Sequence, residues 1–171
     1  RSRFLGAHFC NPPRYVPLLE VISTPETDPE VASTISEIAS TLLDRGVVPA
    51  YDVPNFIANR IGAYSLMLTL KVMDESGLGP DEVDSITGYP MERPSSATFR
   101  TLDVVGIDVF LAVVENSLAS ASDEDEKAVL EPTTYIRELV ERGWVGQKAG
   151  SGFYRRVKET GKSNILVLDV D

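Results

Sequence analysis

From Pro54 to Ser76 the chain reads PNFIANRIGAYSLMLTLKVMDES, long enough for a helix of several turns. Phe56, Ile57, Ile61, Tyr64, Leu66, Met67, Leu68, Leu70, Val72 and Met73 carry apolar character most of the way around it. Such a helix wants burial on several sides, in a bundle or against another subunit. Gly77 is placed to end it. A helix of this kind excludes an all-β architecture, and the rest of the fold must be arranged around it.

Before this helix the period is different. Phe4 to Phe9 and Leu18 to Ser23 are short apolar runs of strand length, the first stopped by Asn11-Pro12-Pro13. Asp28 with Pro29 behind it starts a helix, with Thr27 and Glu30 as an alternative capping box. Val31, Ile35, Ile38, Leu42 and Leu43 recur at helical spacing, and Gly46 is expected to end that helix in a left-handed conformation. Val47 to Ala50 is a third strand. Strand, helix and strand in that order predict the rim of an α/β sheet, with the change to a helical part near Tyr51.

Downstream, Gly79-Pro80-Asp81 starts a short helix, and Thr98 to Ser117 is helical with a break near Gly106. SASDEDEKAV reads as an exposed loop or a solvated first turn with Ser122 as cap. Pro132-Thr133-Thr134 opens a last amphipathic helix bearing Ile136, Leu139 and Val140 and ending at Gly143. GQKAGSGFY, from Gly146, fits neither glycine-rich phosphate motif and is expected to be a flexible turn leading into a closing strand.

Composition narrows the function. A net charge of −10 argues against nucleic acid and anionic membranes as partners, and no apolar run reaches the length of a membrane span. The single cysteine, Cys10, permits no internal disulfide and fits a reducing, cytoplasmic compartment. No spacing of His, Cys or carboxylates resembles a metal site, and Cys10 reads as a small packed side chain.

The candidate chemistry lies in LGAHFCNPPRYVPLLEVI. It contains the only histidine, His8, in one apolar strand, and Glu20 in the next. A buried carboxylate must be paired. Its structural partner would be Arg3 or Arg14; its functional partner would be His8, whose tautomer it would fix, leaving the other ring nitrogen as a general base. Asn59, in the first turns of the long helix, is either a helix-terminus hydrogen-bonding group or an amide aimed at a polar ligand atom.

GAHFCNPPRYVPLLEVI, DVPNFIANRI and LVERGWVGQKAGSGFY together resemble three landmarks of the 3-hydroxyacyl-CoA dehydrogenase family, in the family's order. The family's His-Phe-Phe-Asn-Pro appears here as His8-Phe9-Cys10-Asn11-Pro12. Its Asp-Thr-Pro-Gly-Phe appears as Asp52-Val53-Pro54-Asn55-Phe56, where Asn would replace a left-handed glycine with least strain. RPSSATFRTLDVVGIDVF is similar to the long bacterial members joined to an enoyl-CoA hydratase.

The resemblance implies oxidation of L-3-hydroxyacyl-CoA to 3-ketoacyl-CoA by NAD in fatty-acid β-oxidation. It implies His8 as catalytic histidine, Glu20 as its partner and Asn59 as a substrate-binding residue, with Asn11 a second candidate contact to the acyl-CoA. It further implies a homodimer through the helical part and a fused hydratase. Residues 1–51 then correspond to the last strands of a Rossmann-type NAD-binding domain and 52–171 to the helical C-terminal domain. The family's G-x-G-x-x-G fingerprint is not in this sequence, so no cofactor-binding residue is assigned. The chain is expected to be a piece of a longer polypeptide, inactive by itself. The rival readings are a non-catalytic helical dimerisation or docking module, and a dehydrogenase for a different 3-hydroxy acid.

Overall fold

The structure is a computed structural model that describes residues 1–169 apart from 12, 94, 160 and 161. The chain divides into two compact units, Arg1–Ile61 and Gly62–Asp171. Among the described residues, no helix is long and apolar enough to cross a membrane.

The first unit is a three-stranded sheet with one helix. Strand β1 (Leu5–Phe9) pairs antiparallel with β2 (Leu18–Ser23), and β2 pairs parallel with β3 (Gly46–Tyr51), so β2 is central. Helix α1 (Pro29–Thr41) makes the crossover that a parallel pair requires. Asp28 caps it as expected, its carboxylate accepting from the Glu30 N–H. Leu19 and Val21 pack with Ala39, Ile35, Leu5 and Val47. By alternation, Glu20 and Ile22 point to the opposite face of the sheet, and both are buried. Gly6 lies opposite Ile22, where an added Cβ would come within 3.2 Å of the Ile22 Cβ. The expected role of Gly46 does not hold. The helix closes earlier, at Leu42, and Asp44 takes the left-handed turn at φ 51°, so Gly46 begins β3. A short polar side chain tolerates that conformation, which frees the glycine.

Helix α2 (Ala58–Ser76) starts four residues later than its apolar pattern predicts. Asn55 and Phe56 both have left-handed backbones, φ 63° and 48°, which holds Pro54 in the turn outside the helix. Its other end is at Gly77, φ 65°, as expected.

The second unit is helical with a terminal hairpin. After α2 come α3 (Pro80–Thr87), α4 (Phe99–Val105), α5 (Ile107–Ser120), α6 (Glu124–Leu130) and α7 (Thr134–Glu141), then antiparallel β4 (Tyr154–Glu159) and β5 (Lys162–Val167). Gly106, φ 103°, separates α4 from α5. The cap of α6 is Asp123, not Ser122: its carboxylate accepts from the Glu126 N–H, and a negative charge also suits the positive end of the helix. The core gathers Met67, Leu70, Leu102, Ile107, Leu130 and Ile136 around Phe99 and Phe153, whose ring centroids are 4.7 Å apart.

The glycine-rich turn expected to be flexible is pinned. Buried Asp103 of α4 accepts from the backbone N–H groups of Phe153 and Tyr154, both at 2.9 Å. Gly146 and Gly152 lie so close to Asp103 that a Cβ on either would overlap its atoms. Tyr154 Oη donates to Asp84, which also accepts from the Thr98, Phe99 and Arg100 amides and so caps the start of α4.

Candidate active site

The antiparallel register puts His8 directly opposite Glu20. Cross-strand partners share a face, so the two side chains meet above the sheet. His8 Nδ1 lies 2.5 Å from Glu20 Oε2, a short charge-assisted hydrogen bond. The Glu20 side chain is 1% exposed and that of His8 26%. The carboxylate is therefore sealed while the imidazole keeps access to solvent. The pairing considered for Arg3 or Arg14 falls to His8.

The other oxygen, Oε1, accepts from the Ile57 N–H at 2.8 Å and the Ala58 N–H at 2.9 Å. These are orphan amides at the start of α2. Glu20 thus caps that helix from a strand, and the positive end of the helix faces its charge. The left-handed pair Asn55-Phe56 turns these consecutive amides toward the carboxylate, and it sets the Phe56 ring 5.7 Å from the His8 ring. Burial pushes the Glu20 carboxyl up. The His8 hydrogen bond, the Ala58 and Ile57 amides and the imidazole charge outweigh burial and hold it below the usual glutamate value. Glu20 is accordingly ionised at neutral pH and accepts from Nδ1; in the neutral imidazole Nε2 is then the acceptor.

Asn59 is the second residue of α2, adjacent to the Ala58 amide that binds Glu20, and it is exposed. Asn11 is exposed just beyond β1. Sequence reasoning missed two parts of the site. Backbone amides carry no side-chain signature, so Ile57 and Ala58 were invisible. Cys10 was read as packing alone, yet its sulfur joins the His8 and Glu20 ligand atoms in a group within 4.8 Å of one another. The period-2 spacing of His8 and Cys10 was the available signal.

Residues 1–53 match the 3-hydroxyacyl-CoA dehydrogenase NAD binding domain family, and residues 56–156 match the 3-hydroxyacyl-CoA dehydrogenase C-terminal domain family. A "Probable 3-hydroxyacyl-CoA dehydrogenase" of Bacillus subtilis is 49% identical over 160 residues, 94% of this chain and 20% of that relative. A protein of the same description from Deinococcus radiodurans is 47% identical over 159 residues, 93% of this chain and 45% of that relative. The crystal structure of FadB2 from M. tuberculosis superimposes with a TM-score of 0.80 at 28% identity, covering 91% of this chain and 53% of that one. The chain thus spans less than half the length of these two curated relatives. With both of the family's domains matched in order along it, the chain belongs to the 3-hydroxyacyl-CoA dehydrogenase family.

Proposed function

We propose that the protein containing this chain oxidises L-3-hydroxyacyl-CoA to 3-ketoacyl-CoA in fatty-acid β-oxidation, with NAD as oxidant and His8 as the general base. The single observation that carries this reading is the 2.5 Å bond between a part-exposed imidazole and a sealed, amide-clamped carboxylate. His8 Nε2 accepts the proton of the C3 hydroxyl. Glu20, already ionised, stabilises the imidazolium that results, and Oε1 stays anchored by the Ile57 and Ala58 amides while it does so. Asn59 holds the C3 oxygen, assisted by its place at the positive end of α2, and Asn11 contributes a further substrate contact. In the reverse direction the protonated imidazole polarises the ketone.

The described residues do not fit the pyrophosphate of NAD. The one α/β crossover helix, α1, presents the Asp28 carboxylate and Glu30 at its N-terminus, where a dinucleotide fold offers glycines and bare amides. The match of residues 1–53 to the NAD binding domain family supports NAD, and residues 1–51 as part of that domain. Similarity to proteins named "Putative fatty acid oxidation complex trifunctional enzyme" in Rickettsia prowazekii and Rickettsia felis, 30% and 32% identical, supports a fused hydratase on the native polypeptide.

The proposed assembly rests on α2. Its Met67, Leu70 and Met73 are buried, while Tyr64, Leu68 and Val72 form an exposed apolar stripe on the same helix. That stripe supports a homodimer, and Leu68→Glu is expected to shift a sedimenting dimer toward monomer. The catalytic reading is tested in the full-length protein by assaying NAD reduction with 3-hydroxyacyl-CoA esters. Full turnover in His8→Ala would refute the assignment.

A further inference from the structure

The site holds one group that the proton-transfer chemistry does not use. Cys10 follows β1, two residues after His8 and on the same face. Its sulfur, a His8 ring nitrogen and a Glu20 oxygen all lie within 4.8 Å of one another. Thiol, imidazole and carboxylate are the three side-chain types that zinc accepts, and three protein ligands with a fourth position left to water is a common arrangement for it.

We propose that His8 Nδ1, Cys10 Sγ and Glu20 Oε2 form a binding site for a thiol-seeking divalent cation of the zinc class, and that the bound ion switches the base off. The second half rests on the dehydrogenase reading above. Zinc–ligand bonds of about 2.0–2.3 Å place tetrahedral ligand atoms about 3.5 Å apart. The 2.5 Å contact between Nδ1 and Oε2 therefore opens slightly around the ion while the sulfur closes in. Oε1 keeps its two backbone amides, so the carboxylate needs no new support.

The protons balance simply. The Cys10 thiol loses its proton to solvent as the metal–sulfur bond forms. The His8 proton leaves Nδ1 for the metal–nitrogen bond, and an equal proton is taken up at Nε2. The dication, thiolate and carboxylate sum to zero charge, which suits a site with one wall buried. In the bound form Nε2 carries hydrogen and donates, so it cannot accept the proton of a hydroxyl. Inhibition is thus a consequence of tautomer, separate from any blocking of the substrate.

The test uses metal-free full-length protein with Co2+ as a spectroscopic probe and Zn2+ as competitor. One equivalent of Co2+ is expected to produce a thiolate-to-cobalt charge-transfer band that Zn2+ abolishes. Cys10→Ala and, as a second variant, Cys10→Ser are expected to lose the band. Their Zn2+ affinity should fall at least about tenfold, since loss of even an outer-shell partner costs about 10–100-fold. Absence of the band in wild type, or unchanged Zn2+ affinity in both variants, overturns the site. Zn2+ is also expected to inhibit turnover reversibly with chelator, at a concentration at least about tenfold lower in wild type than in Cys10→Ala. Binding without inhibition overturns the switch. A wild type that gives the band with Co2+ but shows no dehydrogenase turnover when metal-free refutes the dehydrogenase reading and leaves the metal site standing.

Discussion

Glu20 in the first unit and Asp103 in the second solve one problem with one device. Each is a buried carboxylate, and each accepts from two consecutive backbone amides: Ile57 and Ala58 for Glu20, Phe153 and Tyr154 for Asp103. They differ in what the rest of the carboxylate does. Asp103 spends one oxygen on each amide and is enclosed by Gly146 and Gly152. Glu20 gathers both amides on Oε1 and keeps Oε2 for His8. Burial pushes the Asp103 carboxyl above its ordinary value, against the Tyr154 and Phe153 amides and the more distant Arg100, whereas the bonded imidazole helps take Glu20 below its own. A clamp that consumes both oxygens is a staple; a clamp that leaves one free positions a working group.

The sharpest way to break this comparison is turnover. In the full-length protein, His8→Ala and Glu20→Gln are each expected to lower kcat by about 10^2–10^4-fold, the range supplied by a positioned acid–base group. Asp103→Asn should leave kcat per folded molecule near wild type. A kcat loss of the same size in Asp103→Asn would erase the distinction.

Stability should separate them the other way. Asp103→Ala strands the Phe153 and Tyr154 amides in the core, and a destabilisation on the order of 3 kcal/mol is expected in urea denaturation. A change below about 0.5 kcal/mol, ordinary for surface positions, would mean the hairpin is held by something else.

Acid titration sharpens the contrast. Glu20 has a lowered folded value, so its contribution to stability is present above the unfolded glutamate value and is lost as pH falls through the folded one. Asp103 has a raised folded value, so its contribution is full below the unfolded aspartate value and is lost as pH rises through the folded one. Urea melts from neutral pH down to about pH 3 should therefore show opposite pH trends when wild type is compared with Glu20→Gln and with Asp103→Asn. Parallel trends would contradict the assignment.

The smallest effect concerns the turn that aims the Glu20 amides. Asn55→Val, forced to a left-handed φ, should cost about 1–2 kcal/mol more than Asn55→Gly, which adopts that backbone without strain. Equal thermal midpoints for the two would show that the turn relaxes.

Much of this was legible in the sequence where the physics is local. Asp28-Pro29 names a helix start, Gly77 and Gly106 name a stop and a break, and all three behave accordingly. His8 and Glu20 stood out because ionisable side chains interrupt apolar strands. What could not be read lies in contacts made by the backbone or across long separations. Asp103 in TLDVVG looks like a surface residue of a helix until Phe153, fifty positions on, returns to it. The delayed start of α2 at Ala58 escaped because apolar periodicity continues through Asn55 and Phe56, whose left-handed backbones precede the amides that Glu20 binds.

The pairing of β1 with β2 also makes this site a reporter of its own assembly. A slip of one residue would put Ala7 or Phe9 opposite Glu20 and carry the imidazole to the other side of the sheet. The Glu20–His8 contact spans 12 positions, whereas Glu20 reaches Ile57 and Ala58 across 37 and 38, so the whole β2–α1–β3 crossover must be threaded before the second set can close. A molecule with either error is mute and does not become a sloppy catalyst. In a refolding experiment on the full-length protein, the appearance of the proposed activity would mark the last of these closures, later than the return of helical signal, and its lag would time the threading of the chain.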